Sequence, residues 1–485
     1  MSLISPIFLL LFLPAIVCVF YNLPMAKRPN FLLLASLFLY LFASPSAFPV
    51  LILVCSLAYL MVLPASPKYR LARTTVMAIG LLIILIFFKY SAFLSENINL
   101  FWGRVFDGSL VWHSLVGKIV LPIGISFYIF QALSFVFDVH ESPKKYDGTK
   151  VTEVFLYISF FPQLVAGPIV RFAHFHSELN SLKFRKSDII IGVKLIIIGL
   201  SKKIIIADYF AEYVDIIFSL PPHELTWWLA MLGPVLFFFQ IYFDFSGYSD
   251  MAIGIGRIFN IRFMKNFKFP YLSTSVTEFW RRWHISLSRW FRDYLYIPLG
   301  GNRVNKTRGF LNLLVVFVLC GFWHGASWLF LFWGIWHGLF LVIEKIMANY
   351  KPIMRLPKVL KWFYTMMVVI IGWLIFRSEN IAQLYSFVHS ILSLRGEFIF
   401  GANLELDFDL KFVFYSFVAS FVSVGGGRFT VRVLREISLI EVLFTSKTGL
   451  AVSRFLSSLA IGCFGLFALA NLMRGTFSSF IYFQF

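Results

Sequence analysis

The chain has 485 residues, 59% of them hydrophobic and only 14% charged, with a mean hydropathy of +0.81; a soluble chain would carry roughly 25% charged residues. Apolar runs of the ~20 residues needed to cross a ~30 Å hydrocarbon core recur along most of the length, and the alternating ~10-residue segments of a membrane barrel are not visible. A soluble enzyme is excluded, and an all-α, polytopic membrane protein is predicted. The net charge of +19 fits Lys and Arg gathered in cytoplasmic loops rather than nucleic-acid binding. Cys18, Cys55, Cys320 and Cys463 lie in apolar runs without paired spacing, so neither a disulfide framework nor a metal site is expected.

The N-terminus, MSLISPIFLLLFLPAIVCVFYNL, lacks a basic leader and a small-residue cleavage site, and is expected to be a first span rather than a signal peptide. Further spans are expected near 30–45, 47–63 and 74–94. LPIGISFYIFQALSFVFDVHE follows, with Pro122 and Gly124 predicting a kink and with Asp138 and His140 near its end. FFPQLVAGPIVRF (160–172) resists a straight helix and suits a bent or re-entrant segment. FFFQIYFDFSGYSDMAIGIG then places Asp244 and Asp250 in or beside a span. Such carboxylates serve as acid–base groups, as an ion site, or, more commonly, as partners for buried cations. Residues 257–308 carry eleven Lys or Arg against Glu278 and Asp293, a net of +9, which makes this long stretch cytoplasmic. Spans near 360–376, 409–424 and 450–470 close the chain. No internal repeat is visible, and one domain, 1–485, is the simplest division.

The chemistry concentrates between Phe279 and Lys345. FWRRWHISLSRWFRDYLYIPLGGNR is expected to form one amphipathic helix over 279–297. It places Trp280, Leu287 and Phe291 near His284, extends the aromatic arc through Trp283, and gathers Arg281, Arg282, Arg289 and Arg292 opposite. Guanidinium groups suit phosphates, as on a nucleotide-bearing carrier. LCGFWHGASWLFLFWGIWHGLFLVIEK follows. His324 lies 13 residues beyond Leu311, about 20 Å along a helix, hence beyond the membrane midplane. Ionisable groups at such depth line a site or a path, and a buried neutral imidazole suits a general base. Gly321 and Gly325 leave room beside it for a ligand or another backbone. His337, roughly 140° around a straight helix from His324, is expected to be structural. No hydrolase elbow, nucleotide loop or metal motif appears. Two classes remain from the residues alone: acyl transfer with a buried histidine base, or proton-coupled transport of an acyl or lipid-linked substrate through Asp244, Asp250 and the histidines. A scaffold for an export complex would leave the buried histidines unexplained.

WRRWHISLSRW, YIPLGGNR and CGFWHGASWLFLFWGIWHG together resemble the signature of the membrane-bound O-acyltransferases. FFPQLVAGPIVR and QIYFDFSGYSDMAIG resemble further blocks of the bacterial branch, especially its alginate-acetylating members, over roughly 120–345. The resemblance implies about eleven transmembrane helices plus re-entrant and interfacial helices around a central funnel. It implies His324 as the essential histidine, His284 as the second signature position, and Trp323, Asp244 and Asp250 in support. It also implies acetyl-CoA as donor substrate, bound near Arg281, Arg282, Trp283, Arg289 and Arg292, with no permanently bound cofactor. Secreted-side acetyltransferase or carrier proteins of a polysaccharide export system are implied as partners, in a bacterial inner membrane. The terminal FIYFQF resembles a motif of the same branch and makes Tyr482 a candidate acyl relay.

Overall fold

The computed structural model describes residues 3–64, 66–106, 119–179, 182, 184–348, 350, 356–396, 408–425 and 447–474. Tyr482 lies outside them, as does the segment GGGRFTVRVLRE beyond its first glycine, Gly425. Among the described residues every regular element is helical. Among the described residues, five helices are long and apolar enough to cross a membrane, and five shorter apolar helices accompany them.

The elements that build the site are α1 (Pro67–Trp102), α2 (Ile125–Glu141), α3 (Lys186–Ser201), α4 (Trp227–Ile258), α5 (Val276–Arg282), α6 (Ile285–Phe291), α7 (Lys306–His324), α8 (Trp328–Met347) and α9 (Lys358–Arg377). Their apolar windows differ sharply in burial: 78% for α4 against 17% for α1. A helix apolar all round and enclosed by others is a core pillar, whereas an apolar helix with its sides uncovered is dressed for lipid. Close approach makes α4 the pillar. A Cβ on Gly192 of α3 would sit 2.6 Å from the Gly254 carbonyl oxygen, and one on Gly254 would sit 2.6 Å from that of Gly192. Small residues let two backbones touch where lipid supplies no hydrophobic drive.

The carboxylates of α4 are neutralised here. Lys203, in the π-helical turn Lys202–Ala207 that follows α3, lies 2.8 Å from Asp208 and 2.9 Å from Asp244, with all three side chains at most 7% exposed. Lys202 lies 2.6 Å from Asp250. Asp244 and Asp250 are thus joined to lysines one helix away, the commoner of the outcomes expected for them.

The basic stretch departs from the expected single helix over 279–297. The chain is helical in α5, becomes extended at Trp283, turns left-handed at His284 (φ 41°, ψ 53°), and resumes as α6. The cause is a competing strand of loop. Lys268 N–H donates to the Arg282 carbonyl at 2.9 Å, and the Ile285 N–H donates to the Asn266 carbonyl at 2.9 Å. Residues 266–268 therefore take backbone groups that a continuous helix would use itself. On the amphipathic α5, the Thr274 N–H and the Arg282 guanidinium hold the Glu278 carboxyl below its usual range despite the opposing effect of burial.

A second break separates the two histidines of the apolar run. α7 starts on the Asn305 side-chain cap, ends at His324, and passes through an extended Gly325 to α8, capped by Ser327. The two helices form an antiparallel hairpin, so the single straight helix assumed between His324 and His337 does not exist. Gly321 faces the Phe330 carbonyl and Gly334, leaving no space for a side chain. The room expected beside Gly321 is filled by another backbone.

Lys203→Met should leave Asp208 and Asp244 buried without a counter-charge, a loss on the order of 3–5 kcal/mol. The expected outcome is a lower melting temperature and a reduced yield of monodisperse protein in detergent. An unchanged melting curve would count against the buried triad as a stabilising element.

Candidate active site

His324 is the last residue of α7 and 5% exposed. Its ring packs against Trp323 (5.0 Å between centroids), Trp333 (5.0 Å) and Phe376 (5.3 Å). On one side it borders a cavity of about 50 Å³ lined also by Lys89, Pro122, Ser126, Phe127, Val165 and Trp323. His337 flanks the opposite side of Trp333, at 4.9 Å, and is fully buried against Trp280 and Gly372. It does not line the cavity beside His324.

The His284 ring lies 6.3 Å from that of Trp323, which in turn packs on His324, and 4.6 Å from Phe245. Its tautomer follows from its neighbour. The Asn266 side-chain oxygen accepts the Ser286 backbone N–H at 3.1 Å and the Ser286 hydroxyl at 3.0 Å. That atom must be oxygen, because a backbone N–H has nothing to give but a proton. His284 Nδ1, 3.3 Å from the same oxygen, is therefore the protonated nitrogen, and Nε2 keeps its lone pair. The left-handed backbone at His284 costs roughly 1 kcal/mol or more in a non-glycine residue, and the Asn266 bonds hold it there.

A second cavity, about 410 Å³, opens on the basic side. It is lined by Ser134, Arg171, Ser286, Arg289, Trp290, Arg292 and Tyr294 among others. Asp293 pairs with both Arg171 and Arg292, which orients the two guanidinium groups. The two cavities share a thin wall. α2 contributes Ser126 and Phe127 to the first and Ser134 to the second, a rise of only about 12 Å. Between them Phe130 stacks on Trp290 at 3.8 Å and touches Trp323 at 5.3 Å. The irregular stretch expected near 160–172 runs the same way. A four-residue helix, Phe161–Leu164, gives out into a turn and irregular backbone, with Val165 on the first cavity and Arg171 on the second. Non-helical backbone at this depth is tolerable because it lines cavities.

The structure divides the predicted set. His324, His284 and Trp323 come together, and Arg289 and Arg292 share one cavity. Arg281 faces a third, larger cavity of about 850 Å³ with Glu344, Lys345 and Lys361, because the break at His284 turns α5 away from α6. Arg282 is held by Glu278 at 2.7 Å. Trp283 is 2% exposed and packs between Phe279 and Trp373 in the aromatic core, so it contacts none of the cavities. Asp244 and Asp250 belong to the lysine cluster. Lys89, Ser126, Arg171 and Asn266 were missed. A lone lysine within LLIILIFFKYSAFL carries the membrane-depth signal that would have found Lys89. Asn266 gives no such signal, since its role depends on a loop meeting a helix break.

The profile of the membrane-bound O-acyltransferase family matches residues 73–388. The chain belongs to that family. It is therefore an acyltransferase and a multi-pass membrane protein. It is 39% identical over 391 residues to the "Probable alginate O-acetylase AlgI" of Azotobacter vinelandii, covering 78% of this chain and 75% of that one. It is 34% identical to the protein of the same name from Pseudomonas putida, over 99% of both chains. It is also 35% identical to the "Peptidoglycan O-acetyltransferase" of Helicobacter pylori, over 81% of this chain and 80% of that one. The matched span runs from within α1 to beyond α9, so the residues that line all three cavities lie within the acyltransferase domain.

Asn266→Ala removes the acceptor that fixes the His284 tautomer and strands the Ser286 donors, a cost of about 1–3 kcal/mol. Acyl transfer should fall by roughly ten- to a hundredfold, while Asn266→Asp, which keeps the acceptor oxygen, should retain more of it. Initial rates on equal amounts of folded protein decide this.

Proposed function

We propose that this acyltransferase takes acetyl from cytoplasmic acetyl-CoA and delivers it toward an exported polysaccharide on the other side of a bacterial inner membrane. The observation that carries the proposal is the pair of cavities on opposite sides of one thin aromatic wall, with His324 on one cavity and three arginines on the other. The names of the relatives, two alginate O-acetylases and a peptidoglycan O-acetyltransferase, support acetyl as the group and a glycan as its destination. The positive-inside rule puts the +9 stretch, and with it the arginine cavity, in the cytoplasm.

In this reading Arg171, Arg289 and Arg292 bind the phosphates of the donor, using fork-shaped donors that match phosphate oxygens. The thioester arm enters past Ser286 and Trp290. His324 removes the proton from an acceptor hydroxyl arriving from the opposite cavity, and the oxygen attacks the acetyl carbonyl. The C–S bond breaks, and the thiolate leaves and takes up the proton, returning His324 to its neutral form. His284, with Nε2 held as an acceptor, orients the reacting groups from the donor side. The ultimate glycan is reached through a secreted-side partner protein, and Tyr482 stands as a candidate docking or relay residue for that exchange.

The test is transfer of radiolabelled acetyl from acetyl-CoA by the purified protein in liposomes, with secreted-side partners and glycans supplied in turn. Label should reach the acceptor in the wild type and be abolished in His324→Ala at normal protein level; retained transfer would remove His324 from the mechanism. Replacing Arg289 with Gln should raise the KM for acetyl-CoA by roughly ten- to a hundredfold, since one charge-assisted bond contributes about 1.5–3 kcal/mol. Arg281→Gln should leave it near the wild-type value. The opposite ranking would move the donor site to the third cavity.

A further inference from the structure

α1 carries a cation where a lipid-facing helix has least use for one. Its apolar run is interrupted by a π-helical turn, Ile86–Tyr90, and such turns in α-helices frequently mark functional positions. Two consecutive residues of that turn reach the end of α7. The Lys89 ammonium donates to the Trp323 carbonyl at 2.6 Å, the His324 carbonyl at 3.0 Å and the Ser126 hydroxyl at 3.2 Å. The Tyr90 hydroxyl donates to the Phe322 carbonyl at 2.7 Å, and its ring stacks on Phe322 at 4.1 Å.

The last four carbonyls of an α-helix have no partner within the helix. α7 ends at His324 and Gly325 is extended, so the following chain does not fold back to cap it. Lys89 and Tyr90 between them take the carbonyls of three consecutive residues, ending on the histidine itself. A cation at a helix C-terminus also meets the negative end of the helix dipole. The Lys89 side chain further lines the cavity that His324 borders, and its ammonium lies 5.8 Å from the Trp323 ring centroid. A residue needed only for solubility or packing would not combine these features with the cost of a charge at this depth.

We propose that Lys89 is a positioning residue: its ammonium clamps the C-terminal turn of α7 and thereby aims the His324 imidazole at the acceptor cavity. This rests on the reading of His324 as the general base. Small misplacements of a catalytic group, of about 1 Å, can cost on the order of a hundredfold in rate. Lys89→Met keeps the length of the side chain and removes the clamp. Lys89→Gln restores a donor without the charge.

The experiment measures kcat and KM for acetyl-CoA, with melting temperature, for the wild type, Lys89→Met, Lys89→Gln and His324→Ala in liposomes. The expected result is a kcat about a hundredfold lower in Lys89→Met, an intermediate kcat in Lys89→Gln, and a KM for acetyl-CoA within about threefold of wild type, because the donor lies beyond the wall. A melting temperature close to that of the wild type in Lys89→Met, together with the unchanged KM, separates a misplaced base from a general loss of structure. Wild-type kcat in Lys89→Met, with His324→Ala inactive, overturns the positioning role alone. Activity in His324→Ala overturns the base assignment instead. If Lys89→Met does not accumulate, Lys89→Gln decides: a lower kcat at unchanged KM supports the clamp, and wild-type kcat overturns it.

Discussion

A backbone carbonyl or a charged side chain inside a membrane has no water to turn to, and every feature of this site answers that constraint. The end of α7 is satisfied by Lys89 and Tyr90, the carboxylates of α4 by lysines of the turn that follows α3, and the kink at His284 by Asn266. Each partner comes from a different helix or loop. The polar groups consequently act as pins between elements whose apolar faces would otherwise pack in many registers. The His324 helix is fixed at its tip, where aim matters most.

The same constraint shapes the route through the protein. A thioester and a hydroxyl can meet only if water is kept from the thioester, because hydrolysis competes with transfer. The wall between the cavities is built from Phe127, Phe130, Trp290 and Trp323, whose rings stack, tilt against one another or meet edge to face. Such pairs fill space without polar atoms left over, apart from the indole N–H groups. Trp290 donates its N–H to the Phe130 carbonyl at 3.0 Å and Trp323 to the Ser126 carbonyl at 3.3 Å. The wall is thus apolar in the middle and hydrogen-bonded at its joints. On the proposed reading it parts the donor from the exported side until a bound thioester replaces one of its surfaces.

Much of the site was legible because chemistry at membrane depth is conspicuous. His324 stands out in CGFWHG against its apolar neighbours, and its position at the far end of a span follows from counting turns. The broken character of FFPQLVAGPIVRF is written in its prolines and glycine. Periodicity failed where backbone hydrogen bonds were diverted. The run from Phe279 to Ile297 has a good amphipathic pattern, yet residues 266–268 capture the groups on either side of His284. That single diversion separates Arg281 from Arg289 and Arg292 and buries Trp283. Likewise Gly325 and Ser327 end one helix and begin another, which the length of the apolar run concealed.

The sequence by itself determined the class of protein, the order of the strongly apolar runs, the basic stretch, and the histidines, since each depends on composition or on residues near one another in the chain. Only the tertiary structure decided which polar groups meet. Lys89 and His324 lie 235 residues apart and Asn266 and Ser286 lie 20 apart, and no local pattern encodes either meeting. A hydrogen bond across such a distance exists only once the helices between its ends have packed, because the free energy that fixes it belongs to the packing and not to the segment.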